Sequence, residues 1–297
     1  MSKSVRIYEV GPRDGLQNEK EVIAPADKIE FINLLSESGL TKIEATSFVR
    51  PGVIPQLSDA AEVYTGISKK PDVTYCALVP NKTGMEKALE CKIQEAAVFT
   101  AASDSFTKKN INCTIQESLD RFKDVMRLAR ESSVPVRGYV STIVECPYEG
   151  KIAPEAVLSV CQGLFDLGVY EISLGETIGV AVPDEVSRLL EVLLKKLPAQ
   201  IFAGHFHDTR GTALANVFRS LEFGIRVFDS SSGGLGGCPY APGASGNLGT
   251  EDLVYGLSRS GYETGVDPVA LAKASLFMQG KLNRTLSSRV LQAHKKR

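Results

Sequence analysis

Short runs of apolar and β-branched residues alternate with longer amphipathic stretches along almost all of this 297-residue chain. Eight runs have the length and composition of buried strands. They are residues 5–10, 42–46, 73–78, 95–99, 136–140, 170–174, 201–206 and 227–230. Eight strands, each followed by a helix, predict an α/β fold in which a parallel sheet closes into a (β/α)8 TIM barrel. An open, doubly wound sheet is the alternative.

The helical stretches carry recognisable signals at both ends. Apolar residues recur at helical spacing in residues 26–38 and 184–197. Prolines stand in predicted first turns and glycines follow predicted helix ends, as at Pro25, Pro154, Pro183, Gly39, Gly168 and Gly224. Two more helices, about 248–260 and 268–282, follow the eighth strand without a linker-like segment. We therefore expect one catalytic domain over residues 1–297, with a helical elaboration from about residue 248.

The charge balance argues against two classes of partner. The chain has 34 basic and 35 acidic residues, a net charge of −1. Nucleic acids and anionic membranes are bound by surfaces with a basic surplus. No apolar run reaches the roughly 20 residues that span a bilayer. We expect neither nucleic acid nor membrane as a partner.

Cysteine usage and the N-terminal sequence indicate a compartment. The six cysteines are scattered without paired spacing. The first predicted strand begins at Val5, which leaves no room before it for a signal or transit peptide. We expect free thiols and a cytoplasmic location.

Polar residues collect where the predicted strands end, and in a TIM barrel the C-terminal strand ends form the active face. Arg13, Asp14 and Gln17 follow the first strand, and Glu44 lies in the second. Residues 173–177 lie at the end of the sixth strand, and residues 205–208 lie at the end of the seventh. A glycine-rich segment, residues 233–246, follows the eighth strand and ends before Asn247.

His205 and His207 form the most informative pair, because residues i and i+2 of a strand point to the same side. The simplest alternative is two polar side chains in a solvated barrel mouth. Asp14, on another strand end, favours convergence on a cation. Two imidazoles, a carboxylate and an amide oxygen form a nitrogen–oxygen set that favours Mg²⁺ or Mn²⁺, although ligand type alone does not exclude Zn²⁺ or Fe²⁺.

Arg13 and Glu44 each allow two interpretations. Arg13 either forms a stabilising ion pair or stabilises an oxyanion. Glu44 lies in an apolar strand, so its carboxylate either faces the barrel interior or pairs with a basic neighbour.

The glycine-rich segment contains Cys238 and has too many glycines for regular structure. Glycine permits unusual dihedral angles, and such loops can close over a substrate. A lone cysteine is usually inert, but a thiol in a mobile loop beside a cation can act in catalysis. No Gly-Lys-Ser/Thr ends the segment, so it is not a P-loop.

Several segments closely resemble the 3-hydroxy-3-methylglutaryl-CoA lyase family, a group of metal-dependent barrel enzymes acting on carbon–carbon bonds. The segments are residues 9–19, 106–113, 136–141, 146–151 and 234–241. The likeness extends over about residues 5–288. The glycine–cysteine loop is specific to the lyases, whereas the Arg-Asp-Gly and His-x-His elements also occur in related synthases.

The resemblance implies a role for each matching residue. The implied ligands of Mg²⁺ or Mn²⁺ are Asp14, His205, His207 and Asn247. The catalytic set is Arg13, Asp14, Glu44, His205 and Cys238. Contacts to the acyl-CoA substrate fall to Arg13, Gln17, Lys108, Lys109, Asn110 and Ser173. The implied reaction is a retro-Claisen-type cleavage of 3-hydroxy-3-methylglutaryl-CoA to acetyl-CoA and acetoacetate.

One position departs from the family pattern, and several questions stay open. Glu176 stands where the family usually has Asp, which lengthens that side chain by one methylene. A Claisen-type synthase, a lyase for a longer 3-hydroxy-3-alkylglutaryl-CoA and a non-catalytic acyl-CoA-binding barrel are the competing functions. We expect a homodimer that acts in leucine degradation or ketone-body formation, although no sequence pattern indicates the oligomeric state or the pathway.

Overall fold

A computed structural model describes residues 3–50, 52, 54–236 and 246–294. The strands in chain order are β1 (Arg6–Glu9), β2 (Lys42–Ser47), β3 (Thr74–Leu78), β4 (Glu95–Ala101), β5 (Val136–Ser141), β6 (Glu145–Cys146), β7 (Gly150–Lys151), β8 (Glu171–Glu176), β9 (Phe202–Phe206) and β10 (Val227–Ser230). The helices are α1 (Pro25–Ser36), α2 (Ala60–Gly66), α3 (Lys82–Glu90), α4 (Asp104–Ile111), α5 (Ile115–Glu131), α6 (Pro154–Leu167), α7 (Pro183–Leu193), α8 (Ala213–Glu222), α9 (Thr250–Arg259), α10 (Pro268–Leu282) and α11 (Arg289–His294).

Eight of the strands form a closed parallel barrel in the order β1-β10-β9-β8-β5-β4-β3-β2. Strand β1 pairs with both β2 and β10, so the sheet has no edge. The predicted TIM barrel is confirmed, and the open sheet is excluded. All eight strand predictions fall on barrel strands. Sequence reasoning missed the short antiparallel hairpin β6–β7, whose two-residue strands are too brief for a periodic pattern.

Local chemistry accounts for the helix boundaries. Pro25, Pro154 and Pro183 each open a helix, where the missing N–H costs nothing. Gly168 ends α6 with a φ of 95°, a left-handed conformation that glycine adopts without strain. Two of the predicted helices are longer than observed, since α1 ends at Ser36 and α7 at Leu193.

The helices surround the barrel, and apolar side chains between the two layers form the main core. Helices α9 and α10 occupy the positions predicted for the C-terminal elaboration, and α10 packs against α1. No helix in the described part of the chain is long and apolar enough to cross a membrane.

Candidate active site

The C-terminal ends of the barrel strands open into a cavity of about 610 Å³. This volume lies within the range of small-molecule and cofactor sites. Arg13, Asp14, His205, His207 and Asn247 all line it. The strand ends therefore bring together five residues that are as much as 234 positions apart in the sequence.

A wide π-helical turn, Gly11–Gly15, delivers Arg13 and Asp14 to the cavity. The carbonyl of Val10 accepts hydrogen bonds from the backbone N–H groups of Arg13, Asp14 and Gly15, at 3.2, 2.8 and 3.1 Å. Such turns are rare and frequently lie at functional sites. Because β1 ends immediately before the turn, both side chains start at the barrel mouth.

Asp14, His205 and His207 form a group whose possible ligand atoms all lie within 4.8 Å of one another. The Nε2 atom of His205 lies 3.3 Å from Nε2 of His207 and 4.0 Å from Oδ2 of Asp14. Two imidazole nitrogens and a carboxylate oxygen are ligands that divalent cations accept. The geometry therefore fits a divalent metal ion.

The electrostatics of His207 and Asp14 also fit a cation. Burial lowers the pKa of the third group, His205, but Asp229 and Asp14 outweigh burial and raise it. Burial and the neighbouring His205 lower the pKa of His207 to about 4, so this ring is neutral near pH 7. Burial raises the pKa of Asp14, but Arg13 and the two imidazoles outweigh burial and hold it below its usual value. A neutral imidazole and an ionised carboxylate are the forms that bind metal.

Asn247 reaches the same group from the far end of the glycine-rich segment. Its backbone pairs with His207 in an antiparallel bridge. Its side-chain Nδ2 donates to Oδ2 of Asp14 at 2.8 Å. Rotation of the amide about its terminal bond would present the oxygen instead, which is the atom a metal would need.

Arg13 is held by two carboxylates. Its Nε donates to Oε2 of Glu44 and its Nη1 to Oδ1 of Asp14, each at 2.7 Å. The hydroxyl of Tyr139 donates to the same Glu44 oxygen at 3.1 Å. The ion-pair interpretation of Arg13 is therefore confirmed. The fixed guanidinium also lines the cavity, and its role as an oxyanion stabiliser stays a prediction.

A buried ion-pair network lies below the two histidines. Asp229 accepts from Nη2 of Arg137 at 2.6 Å and lies 3.1 Å from Nδ1 of His205. Burial raises the pKa of Asp229, but Arg137 and His205 outweigh it and lower the pKa to about 2. Sequence reasoning missed Asp229 and Arg137. Placing the seventh and eighth predicted strands side by side would have revealed Asp229, since it stands opposite His205.

The residues predicted to contact substrate separate into two groups. Gln17 and Asn110 line the cavity, but Lys108, Lys109 and Ser173 do not. Both lysines are exposed on α4, and Nζ of Lys109 lies 3.6 Å from the ring centre of Tyr148. Ser173 is fully buried because it points into the barrel below the mouth, where its hydroxyl donates to Asp229 at 2.7 Å.

Cys238 lies outside the described residues, but both flanks of its loop are defined. Gly236 has a φ of 110°, and a Cβ there would come within 2.8 Å of the Asn247 amide. Glycine at this position therefore permits the approach of the loop to Asn247.

Glu176 ends β8 and does not line the cavity. Its Oε1 accepts from the backbone N–H of Val180 at 3.1 Å, and burial raises its pKa to about 7. Its side chain therefore supports the loop after β8.

A model of the family described as HMGL-like matches residues 4–278 of the chain. The chain belongs to the HMGL-like family. This HMGL-like chain is 52% identical to a mitochondrial hydroxymethylglutaryl-CoA lyase of Bos taurus over 291 residues, which cover 98% of this chain and 90% of the bovine protein.

Solved structures of HMG-CoA lyases are also similar to this chain. An HMG-CoA lyase from Bacillus subtilis matches with a TM-score of 0.97 and 51% identity, covering 99% of this chain and all of that chain. An HMG-CoA lyase from Acinetobacter baumannii, solved with coenzyme A and 3-methylmalate, matches with a TM-score of 0.94 and 38% identity over 99% of this chain and 96% of that one.

Proposed function

We propose that this chain is a divalent-metal-dependent lyase that cleaves 3-hydroxy-3-methylglutaryl-CoA to acetyl-CoA and acetoacetate. The main support is the convergence of Asp14, His205 and His207 beside Arg13. This group combines a possible metal site with a fixed guanidinium that can donate hydrogen bonds to an oxyanion. Identity near 50% to named lyases over almost the whole chain supports the substrate.

The proposed metal ligands are Asp14, His205, His207 and the amide oxygen of Asn247, and the proposed ion is Mg²⁺ or Mn²⁺. When bound, such an ion lowers the pKa of a coordinated hydroxyl, as it does for coordinated water. The nitrogen–oxygen ligand set supports this choice of ion.

The side chains around the cavity supply the remaining chemistry. A base beside the tertiary hydroxyl removes its proton, the C2–C3 bond breaks, and the electrons of that bond become the enolate of acetyl-CoA. Arg13 stabilises the enolate oxygen, and Nη2 is the nitrogen that Glu44 and Asp14 leave unengaged. An acid then protonates the enolate carbon. Asp14, His205 and Cys238 are the candidates for the two proton transfers.

The cavity also offers polar and basic side chains to the acyl-CoA. Its outer part is lined by Gln17, Asn110, Arg50 and Arg121, beyond the metal group. We propose that coenzyme A leaves the barrel along this side. The relative solved with coenzyme A supports coenzyme A as part of the ligand.

Product analysis tests the proposal. Chelator-treated enzyme is incubated with 3-hydroxy-3-methylglutaryl-CoA, with and without added Mg²⁺, and acetyl-CoA and acetoacetate are quantified. Equal amounts of both, formed only with the cation, are expected. A second sample contains acetyl-CoA and a 2-oxo acid in place of 3-hydroxy-3-methylglutaryl-CoA. Turnover in the second sample alone would identify a synthase. The absence of turnover in both samples would favour a non-catalytic binding protein.

The compartment, pathway and oligomeric state stay predictions. The five described cysteines are free, as expected for reducing cytosol. A homodimer acting in leucine degradation or ketone-body formation remains our expectation.

A further inference from the structure

His205 faces two different partners with its two ring nitrogens. Nε2 points into the cavity toward His207 and Asp14, and Nδ1 points away from it toward Asp229 at 3.1 Å. Asp229 and His205 are register partners on adjacent parallel strands, so their side chains share the inner side of the barrel. The contact is therefore fixed by the sheet and not by a flexible loop.

Every other contact of the Asp229 carboxylate comes from a donor. Oδ1 accepts from Nη2 of Arg137 at 2.6 Å. Oδ2 accepts from Nη1 of Arg137 at 3.2 Å and from the hydroxyl of Ser173 at 2.7 Å. Arg137 is in turn held by Glu171, whose Oε1 accepts from Nε at 2.7 Å. Arg137 and Asp229 are almost completely buried, so the carboxylate can neither rotate nor exchange partners with water.

This arrangement determines which nitrogen of His205 carries the proton. An ionised carboxylate only accepts hydrogen bonds, so the nitrogen beside Asp229 must donate. A neutral imidazole has one N–H, and with the proton on Nδ1 the lone pair lies on Nε2, the nitrogen in the metal group. Histidines that bind metals usually donate their second nitrogen to a carboxylate or carbonyl in this way.

We propose that Asp229 is a positioning residue that holds His205 in the Nδ1–H tautomer with its Nε2 lone pair aimed at the metal position, and that Arg137 and Ser173 lock Asp229 in that orientation. The proposal rests on the proposed function, in which His205 is a metal ligand. It also gives Ser173 a function below the cavity instead of a contact with substrate.

The substitution Asp229→Asn separates this role from simple structural support. An amide nitrogen at the Oδ1 position would face Nη2 of Arg137, donor against donor, and neither group can turn away. At the Oδ2 position the amide nitrogen also faces a donor, Nη1 of Arg137, but at 3.2 Å instead of the 2.6 Å at Oδ1, so the conflict is weaker there. Its other neighbours at Oδ2 are the Ser173 hydroxyl, which can rotate to accept, and Nδ1 of His205, which can accept if the ring changes tautomer. The amide therefore forces the proton of His205 onto Nε2, where it blocks metal binding.

Two measurements on the whole protein test the proposal without substrate. The first is the ring ¹⁵N spectrum of metal-free protein at a pH where the imidazoles are neutral; the chain has only three histidines, and the variant His294→Gln assists assignment. We expect Nδ1–H for His205 in the wild type and Nε2–H in Asp229→Asn. The second is Mn²⁺ binding by electron paramagnetic resonance, with a loss of about 10- to 100-fold in affinity for Asp229→Asn.

Glu171→Gln is the matched control, because it makes the same carboxylate-to-amide change in the same network without touching His205. It is expected to lower thermal stability but to keep Nδ1–H and the wild-type affinity for Mn²⁺. Wild-type affinity in Asp229→Asn, or an equal loss in Glu171→Gln, would overturn the proposal.

The wild-type spectrum decides the matter even if Asp229→Asn fails to fold, since Nε2–H on His205 in the wild type refutes the proposal. Failure of the proposed function is read separately. A wild type that binds no Mn²⁺ refutes the metal site itself, whatever the tautomer.

Discussion

At the scale of single residues, neighbouring side chains in the candidate site determine one another's orientation and charge. Arg13 is oriented by Glu44 and Asp14, and Asp14 is kept ionised by Arg13 and the two imidazoles. The residue types of this group were legible in the sequence because Arg-Asp and His-x-His stand at strand ends. Asp229 was not, because a lone Asp inside an apolar strand gives no signal until the neighbouring strand is placed beside it.

Arg13→Gln tests the oxyanion role. Gln keeps much of the length and polarity but removes the charge, so stabilisation of the developing enolate is lost. We expect kcat to fall by ~10²–10³-fold, with a smaller change in KM. Steady-state kinetics measure both constants.

Arg50→Gln is the comparison for Arg13→Gln, because Arg50 is an exposed arginine that lines the outer part of the same cavity. Its loss is expected to raise KM and not to lower kcat. Unchanged kcat in Arg13→Gln would reduce Arg13 to a binding residue.

At the scale of elements, periodicity located the eight barrel strands to within a few residues, since buried parallel strands are nearly continuous apolar runs. The turn Gly11–Gly15 was recognised by its residues but not by its π-helical form, because hydrogen-bond spacing over five residues leaves no periodic signal. The positions of Lys108 and Lys109 depend on the rotation of α4, which the packing of its neighbours determines.

The loop that carries Cys238 is expected to hold the most reactive thiol of the chain. Of the five described cysteines, four are buried and Cys91 is partly exposed. Burial raises the pKa of the thiols of Cys76, Cys91, Cys113 and Cys161, which disfavours the reactive thiolate. We expect iodoacetamide to label Cys238 first, with loss of cleavage and with protection by substrate.

Peptide mapping beside residual activity measures this outcome, and Cys238→Ser serves as the control that should resist labelling at that position. The variant is expected to lose most of its rate, because a hydroxyl of much higher pKa transfers protons poorly. Complete labelling of Cys238 at full activity would leave the loop without a catalytic thiol.

At the scale of the whole molecule, buried carboxylates connect the closed barrel to the loop after β10 and to the C-terminal helices. Glu9 of β1 accepts from the N–H groups of Gly11 and Ser232, at 2.8 Å each, and thereby ties the start of the Gly11–Gly15 turn to the residues after β10. Glu251 of α9 accepts from the N–H of Gly233 at 2.8 Å and from the hydroxyl of Ser275 in α10. The sequence predicted these helices but not that buried carboxylates would join them to the loop.

Glu251 makes the stability of the protein depend on pH. Burial raises its pKa to about 7 in the folded state, above the value of an exposed glutamate. The folded state therefore keeps a proton that the unfolded state releases, and this group lowers stability as pH rises from about 4.5 to 7. The cost is about 3 kcal/mol at neutral pH.

Glu251→Gln removes the titrating group while keeping its shape. Urea unfolding between these pH values should show that the variant gains stability relative to the wild type as pH rises. A difference between the two proteins that stays constant with pH would show that Glu251 does not titrate in this range.

We propose that cleavage requires a divalent cation held by Asp14, His205 and His207. The most direct measurement is Mn²⁺ occupancy and cleavage rate recorded on the same chelator-treated samples across one titration, for the wild type and His207→Ala. The wild-type rate should rise in proportion to occupancy of one site per chain, and His207→Ala should need more Mn²⁺ for equal occupancy because one ligand is gone. Wild-type affinity and activity in His207→Ala would refute His207 as a ligand, and full cleavage at zero occupancy would refute the requirement for the cation.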